Sequence, residues 1–306
     1  MSSAWKVIRM TLGALLVALA LRQLWHAWSD AQRAPVEWHF KPLLLVASAL
    51  LTWTMYAVLI MAWRGLVTAW GQAMTPGAAA RIWIVSSLGK YLPGKVWAIA
   101  GMAVMSGQVG VAPWVATGAA VLNQALSVAA GAVVVGVTGT SLLETQYPWI
   151  RLALAVLLGV SVAGILFLMW PGAVARVLAL ARVKAGTPAA PAPGALLVAA
   201  GANILAWCGY GAALWLLARG VFDQAPTLAQ CIGAFAASYV AGLLAVVAPA
   251  GLGVRESVFI LMLQGTLGAP GASALAIASR VMLTITEVGA AVPFLLTSRE
   301  HARAAS

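Results

Sequence analysis

Apolar runs recur along the 306-residue chain near positions 7–28, 41–63, 114–138, 150–170, 195–218 and 271–297. Each approaches or exceeds the roughly 20 residues a helix needs to cross a hydrocarbon core about 30 Å thick. None alternates residue by residue as the strands of a membrane barrel do. The pattern predicts an all-α integral membrane protein with about six full transmembrane helices. Two further regions, 81–107 and 229–268, are apolar but interrupted, the first at GKYLPGK (89–95) and the second at APAGLGVRE (248–256). Proline and glycine there remove helical hydrogen bonds. At membrane depth such backbone persists only where protein or a water-filled cavity satisfies it. From Arg81 to Leu88 the leading arm of the first region has 8 residues. That is about 12 Å of helix, too little to cross, so a re-entrant hairpin is predicted. The leading arm of the second, Leu228 to Val247, is long enough to span. A second re-entrant hairpin and two full crossings (eight crossings in all) both remain open there.

Span, broken hairpin, span describes 41–138 and describes 195–297 again, within a single polytopic membrane domain over 1–306. An odd number of crossings separates their starts, so the two units are expected to run in opposite orientation. Inverted repeats with interrupted helices in matching places point to a binding site near the bilayer midplane. The proline-rich stretch 183–194 reads as the linker between them. On this layout one side receives Lys6, Arg9, Arg64, Arg81, Arg176, Arg182, Lys184, Arg299 and Arg303. The other receives Arg33, Lys41, Arg151 and Arg219, in loops that also hold Asp30, Glu37, Glu144 and Asp223. The bias places both termini in the cytoplasm. The run Val7 to about Trp28 reads as a retained first helix, since Arg22 and the bulky Leu24-Trp25-His26 replace a small-residue cleavage site.

Composition reinforces this picture. Only 8% of residues are charged and 63% are hydrophobic, whereas a soluble domain is about a quarter charged. The net charge of +11 is scattered over loops, which suits membrane orientation and not a nucleic-acid partner. Cys208 and Cys231 lie in apolar segments as packing residues. His26, His39 and His301 have no ligand partner at helical spacing, so neither a metal nor a cofactor is expected, and no residue is assigned a catalytic role. Trp5, Trp28, Trp38, Trp63, Trp114, Trp149 and Trp170 fall near segment ends and are read as interfacial anchors.

Candidate chemistry rests on the charges at membrane depth: Lys90, Lys95, Arg255, Glu256, Arg280 and Glu287. A central charge costs at least about 2.5–3.5 kcal/mol, so such groups pair or line a polar path. Arg280 and Glu287 share one helix face two turns apart, too far for a mutual pair. Glu256 is the candidate partner for Arg280, and Lys90, Lys95 or Arg255 for Glu287. Each break also restarts a helix, near Lys95 and near Arg255. A helix N-terminus beside a cation suits a phosphate. Substrate contact is therefore expected from Lys90, Tyr91, Lys95, Arg255, Glu256, Arg280 and Glu287. Asn123 and Asn203, polar groups inside two spans, either join that path or tie helices together.

At the two interruptions, GKYLPGKVW (89–97) and APAGLGVRESVF (248–259), the chain resembles the lysylphosphatidylglycerol synthase transmembrane (flippase-like) family. The resemblance extends over nearly the whole length, through segment order and hairpin positions. It implies a bacterial-type inner-membrane lipid translocase moving an anionic or aminoacylated phospholipid, or a related polar lipid, between leaflets. Two-domain members continue into a soluble aminoacyl-transferase domain. This chain ends at Ser306 without one, so it is expected to be a transporter and not a lipid synthase. The implied partners are the bilayer and its lipid substrate, with a homo-oligomer compatible. The alternatives are an intramembrane prenyl or glycosyl transferase, with Asp30 and Glu37 as imagined carboxylates, or an accessory subunit of a lipid-modifying complex.

Overall fold

Proline opens most of the helices. The computed structural model describes residues 39–91, 97–142, 148–180, 191–244 and 253–303. They form α1 (Pro42–Ala69), α2 (Pro76–Ser87) with a 3-10 turn over Leu88–Tyr91, and α3 (Trp97–Gln108). Then follow α4 (Pro113–Leu142), α5 (Pro148–Leu168), α6 (Pro171–Leu180), α7 (Pro193–Val221), α8 (Leu228–Leu244) and α9 (Val254–Arg303). Six of these nine described helices start on proline, whose missing N–H falls where a helix has no acceptor for it anyway. Thr75 completes the start of α2 by accepting from the Ala78 N–H at 3.2 Å. No strand occurs among the described residues.

Helices α1, α4 and α7, with α9, are long and apolar enough to cross a membrane. Helix α5 joins them as a fifth if taken with α6, from which it is bent by 105°. The expected first helix, 7–28, lies outside the described residues, as does most of the linker. The faces are those of a membrane bundle. On α1, Leu43, Val46, Leu50, Trp53 and Met61 form an exposed stripe at helical spacing, while Ser48 and Thr52 are buried. The inward helix face is thus the more polar one, as expected where lipid and not water surrounds the bundle.

Chain direction follows from the crossings. His39 N–H donates to Val221 O at 3.0 Å and Lys41 N–H to Gly220 O at 2.9 Å. Further along, Ser48 Oγ donates to Ala213 O at 2.7 Å, so α1 and α7 run antiparallel. Asn203 pairs with Asn123, and Trp207 with Ser127, so α4 and α7 run parallel. Their shared direction requires the chain to return across the bilayer between them. Helix α5, 21 residues, taken with the sharply bent α6, is the described candidate for that return.

Both interrupted regions are hairpins that leave and return at one end of the bundle. Gln72 Oε1, just after α1, accepts from the Ala112 N–H just before α4. Helices α2 and α3 are 12 residues each, about 18 Å. Even with its 3-10 turn, about 8 Å more, α2 falls short of a hydrocarbon core of about 30 Å. It begins at Pro76, five residues before the expected Arg81, because the Thr75–Pro76 pair is itself a helix start. In the second region Gln230 Nε2 donates to Thr266 Oγ1 at 3.1 Å. The arms here are α8, 17 residues or about 25 Å, and 254–267, about 21 Å. Residues 245–252, between the two arms, lie outside the described residues. At Gly268 the backbone leaves the helical region (φ 68°, ψ 166°), and with Pro270 it separates this arm from the long final helix.

Two apolar cores result. The first gathers Trp63, Leu66, Ile82, Met102, Leu122, Leu126 and Leu196. The second gathers Trp207, Leu214, Phe235, Phe259, Leu263 and Leu275. Helices α4 and α7 contribute to both. Trp63 corrects an expectation: it is fully buried, its indole N–H donating to Ala116 O at 3.3 Å, and is no interfacial anchor. Trp170, 57% exposed with Arg176 over its ring, fits that role.

Where α7 crosses α8, a Cβ on Gly211 would lie 2.3 Å from Ile232 Cα, a backbone atom that cannot yield. Gly211→Leu is expected to destabilise the protein by about 1–3 kcal/mol or more through overpacking. Gly201→Leu, on the same helix with nothing within 4 Å, should leave thermal unfolding in detergent unchanged. Equal melting temperatures for the two variants would contradict this packing.

Candidate functional site

A charge at membrane depth must find its counterion, and on this chain the counterions meet on α9. Glu287 pairs with Lys90 of the 3-10 turn, and Arg280 pairs with Glu256. Both pairs are among those the sequence allows. Arg280 and Glu287 lie on one face, so two turns of α9 hold the residues flanking both hairpin tips. The tips, 92–96 and 245–252, lie outside the described residues, and Lys95 with them; Tyr91 is placed in the 3-10 turn by its backbone alone.

Glu256 serves two partners. One carboxylate oxygen holds Arg280; the other accepts from the Gly253 N–H at 2.8 Å. Gly253 is the N-cap of α9, since Ser257 N–H bonds its carbonyl at 2.9 Å. Glu256 is therefore the N3 half of a capping box. This alters the expectation of a vacant helix N-terminus there, because the chain's own carboxylate already uses one of its donors.

Arg255 is placed differently. Its guanidinium lies 4.6 Å from the Tyr239 ring centre and 5.5 Å from that of Phe235, within cation–π range. Among the described residues it forms no salt bridge. It does interact electrostatically with Arg280, Glu256 and Glu287, so all five charges belong to one cluster. Lys90, Arg255 and Arg280 against Glu256 and Glu287 leave one positive charge, and it is Arg255 that lacks a carboxylate at contact distance.

Aromatic rings floor this cluster. Tyr56 and Tyr210 approach at 6.0 Å; Tyr210 stacks on Phe235 at 5.5 Å and Phe235 on Tyr239 at 5.6 Å. Beside the Lys90–Glu287 pair, α1 is stitched to α9 at Thr286. Trp53 Nε1 donates to Thr286 O at 2.9 Å, and the Tyr56 and Thr286 hydroxyls lie 3.2 Å apart. Sequence reasoning missed Trp53, Tyr56, Tyr210, Phe235, Tyr239 and Thr286. The available signal was tyrosine inside apolar runs instead of at their ends, and the four-residue rhythm of Ser48, Thr52 and Tyr56.

Asn123 and Asn203 stand apart. Both are buried, and Asn203 Nδ2 donates to Asn123 Oδ1 at 3.1 Å and to Ala199 O at 2.8 Å. They clasp α4 to α7 in the manner of polar interhelical ties. A void of about 10 Å³ is lined by Ser48, Thr52, Tyr210, Phe235 and Ser279 among others, the room of about one water.

The Lys90–Glu287 pair is open to a reversal test. Lys90→Glu sets two carboxylates together and should lower stability by about 3–5 kcal/mol, the cost of breaking a buried pair. Lys90→Glu with Glu287→Lys should recover about 1–3 kcal/mol of it, the coupling of contacting residues. Thermal unfolding of the singles and the double measures that coupling; strict additivity would rule the contact out.

No curated protein matches the chain. The family described as "Lysylphosphatidylglycerol synthase TM region" matches it over residues 6–286, which takes in both hairpins and every charge of the cluster except Glu287. With its helical membrane architecture, the chain belongs to the lysylphosphatidylglycerol synthase transmembrane-region family.

Proposed function

We infer that the protein is a lipid translocase, carrying an anionic or aminoacylated phospholipid, or a related polar lipid, between leaflets. The observation that carries this reading is Arg255: a cation held on aromatic faces, without a salt bridge among the described residues, inside a cluster of net positive charge. A half-buried cation so placed attracts an anion, and a phosphate is the anion a membrane supplies in quantity. Arg255 and Lys90 would take the phosphate, with Lys95 and Tyr91 adjoining. Arg280, fixed by Glu256, would hold the α9 end of the site in register. Tails would remain in lipid while the headgroup passes between the hairpins. Asn123 and Asn203 serve this site as frame, not as contacts.

Units 41–138 and 195–297 are read as inverted repeats, a reading supported by the antiparallel α1 and α7 that open them. Opposed hairpins then give the site access to both sides in turn. The basic-residue bias supports cytoplasmic termini, and the family resemblance a bacterial-type inner membrane.

Reconstituted into phosphatidylcholine vesicles, the protein should move a fluorescent short-chain phosphatidylglycerol between leaflets, read by dithionite quenching. Arg255→Gln should slow this about tenfold or more, as expected for losing a charge-assisted contact of about 1.5–3 kcal/mol. Arg255→Lys should recover part of the rate. Wild-type rates in Arg255→Gln would remove Arg255 from the site.

A further inference from the structure

The corner between α5 and α6 stands apart from the charge cluster on α9 and has a chemistry of its own. Helix α6 is turned 105° from α5, so it runs across the direction of that helix. Its contacts fix where it sits. A Cβ on Gly118 of α4 would meet Leu178 of α6 at 3.4 Å and Trp70, just past the end of α1, at 3.2 Å. Trp70 in turn meets Trp114, at the start of α4, edge to face at 6.2 Å. Trp70, Trp114 and Trp170 therefore gather where α1 ends and α4 begins, as indoles do at a membrane–water boundary. The two faces of α6 differ in kind. Val174 and Leu178 are buried, whereas Gly172, Arg176 and Leu180 are exposed at four-residue steps along the other face. A helix laid along a bilayer surface has this form, with one face on protein and a cation among apolar side chains toward the headgroups.

We propose that the Trp170–Arg176 corner binds the headgroup phosphate of an anionic phospholipid of the surrounding leaflet, with the acyl chains of that lipid beside Phe167. The exposed Trp170 holds the corner. Its carbonyl accepts from the Ala173 N–H at 2.9 Å, which opens α6. Its ring meets that of Phe167 edge to face at 6.1 Å and carries the Arg176 guanidinium 5.4 Å from its centre. A ring face orients a guanidinium without using up its N–H donors. Among the described residues Arg176 forms no salt bridge, so those donors suit the oxygens of a phosphate. Charge complementarity selects an anionic lipid. From Thr145 to Phe222 the chain holds no acidic residue, so no carboxylate of its own stretch competes for Arg176. Arg182 and Lys184 follow in the sequence, outside the described residues. The basic-residue bias reads this end of the bundle as cytoplasmic, the side on which a leaflet rich in anionic lipid is negatively charged. This site rests on the membrane architecture and is independent of the translocase reading.

The test reads which lipid lies against α6. Ala179 is exposed three residues from Arg176, on the same side of the helix. An Ala179→Cys substitution, in a full chain whose Cys208 and Cys231 are both changed to alanine, takes a small fluorophore there. The probes are phosphatidylglycerol and phosphatidylcholine, each carrying a nitroxide quencher on the acyl chain near the headgroup and diluted into phosphatidylcholine vesicles. Phosphatidylglycerol should reach half-maximal quenching at a mole fraction about fivefold lower than phosphatidylcholine, the worth of one cation near a charged surface. Arg176→Gln should bring the two lipids together while leaving the label quenched, and Arg176→Lys should keep part of the preference. Equal quenching by both lipids in the labelled chain with Arg176 intact overturns the headgroup site. Quenching by neither overturns the placement of α6 at the bilayer. A preference that persists in Arg176→Gln overturns the assignment to Arg176.

Discussion

A charged group inside a bilayer has to be compensated by protein, because lipid offers it nothing. In this molecule the compensation is concentrated on α9 between Arg280 and Glu287. Glu256 reaches Arg280 from the start of the same long segment, and Lys90 reaches Glu287 from the opposite hairpin. The positions of the short hairpin arms follow from this requirement. Neither α2 nor α3 is long enough to be fixed by spanning, so the depth of Lys90 is set by where Glu287 stands.

The second constraint is backbone hydrogen bonding, and it explains the breaks. Gly253 opens α9 with an N–H that needs an acceptor in a bilayer, and Glu256 supplies it. That one carboxylate thereby joins helix initiation to site electrostatics. It also leaves the helix end less open to an outside anion, and on the translocase reading Arg255 would be the stronger attractor for a phosphate.

What the sequence disclosed, and what it hid, divides along physical lines. Charges are few in an apolar chain and each must pair, so Glu256–Arg280 was identifiable and the partner of Glu287 narrowed to three cations. Short arms beside Pro93 and Gly94 were identifiable as too short to cross. The starts of the helices were harder, because a proline that reads as a breaker is equally a good first residue, as Pro76 is. The aromatic floor was hidden: Tyr56, Tyr210, Phe235 and Tyr239 come from three helices, and each alone resembles ordinary apolar filling. The asparagine clasp was visible as two polar residues, but nothing along the chain joins positions 80 apart.

The two apolar cores show where the molecule is able to yield. The first hairpin, through Ile82 and Met102, belongs to one core; α8 and both arms of α9 belong to the other. Helices α4 and α7 run through both cores, and the Asn123–Asn203 clasp holds them together, so they make a frame. Across the line between the cores, α9 meets the first hairpin and α1 through the Lys90–Glu287 pair and the bonds of Trp53 and Tyr56 to Thr286. Apolar burial is lost whenever packed surfaces part. Polar contacts are exchanged at little net cost if an incoming group replaces them. On the translocase reading a phosphate headgroup would be such a group, and the seam beside α9 the place where it would exchange with the protein's own contacts while the frame stays packed. The boundary between the two cores is thus the boundary held by exchangeable polar contacts, and on the translocase reading the one across which a headgroup would act on the fold.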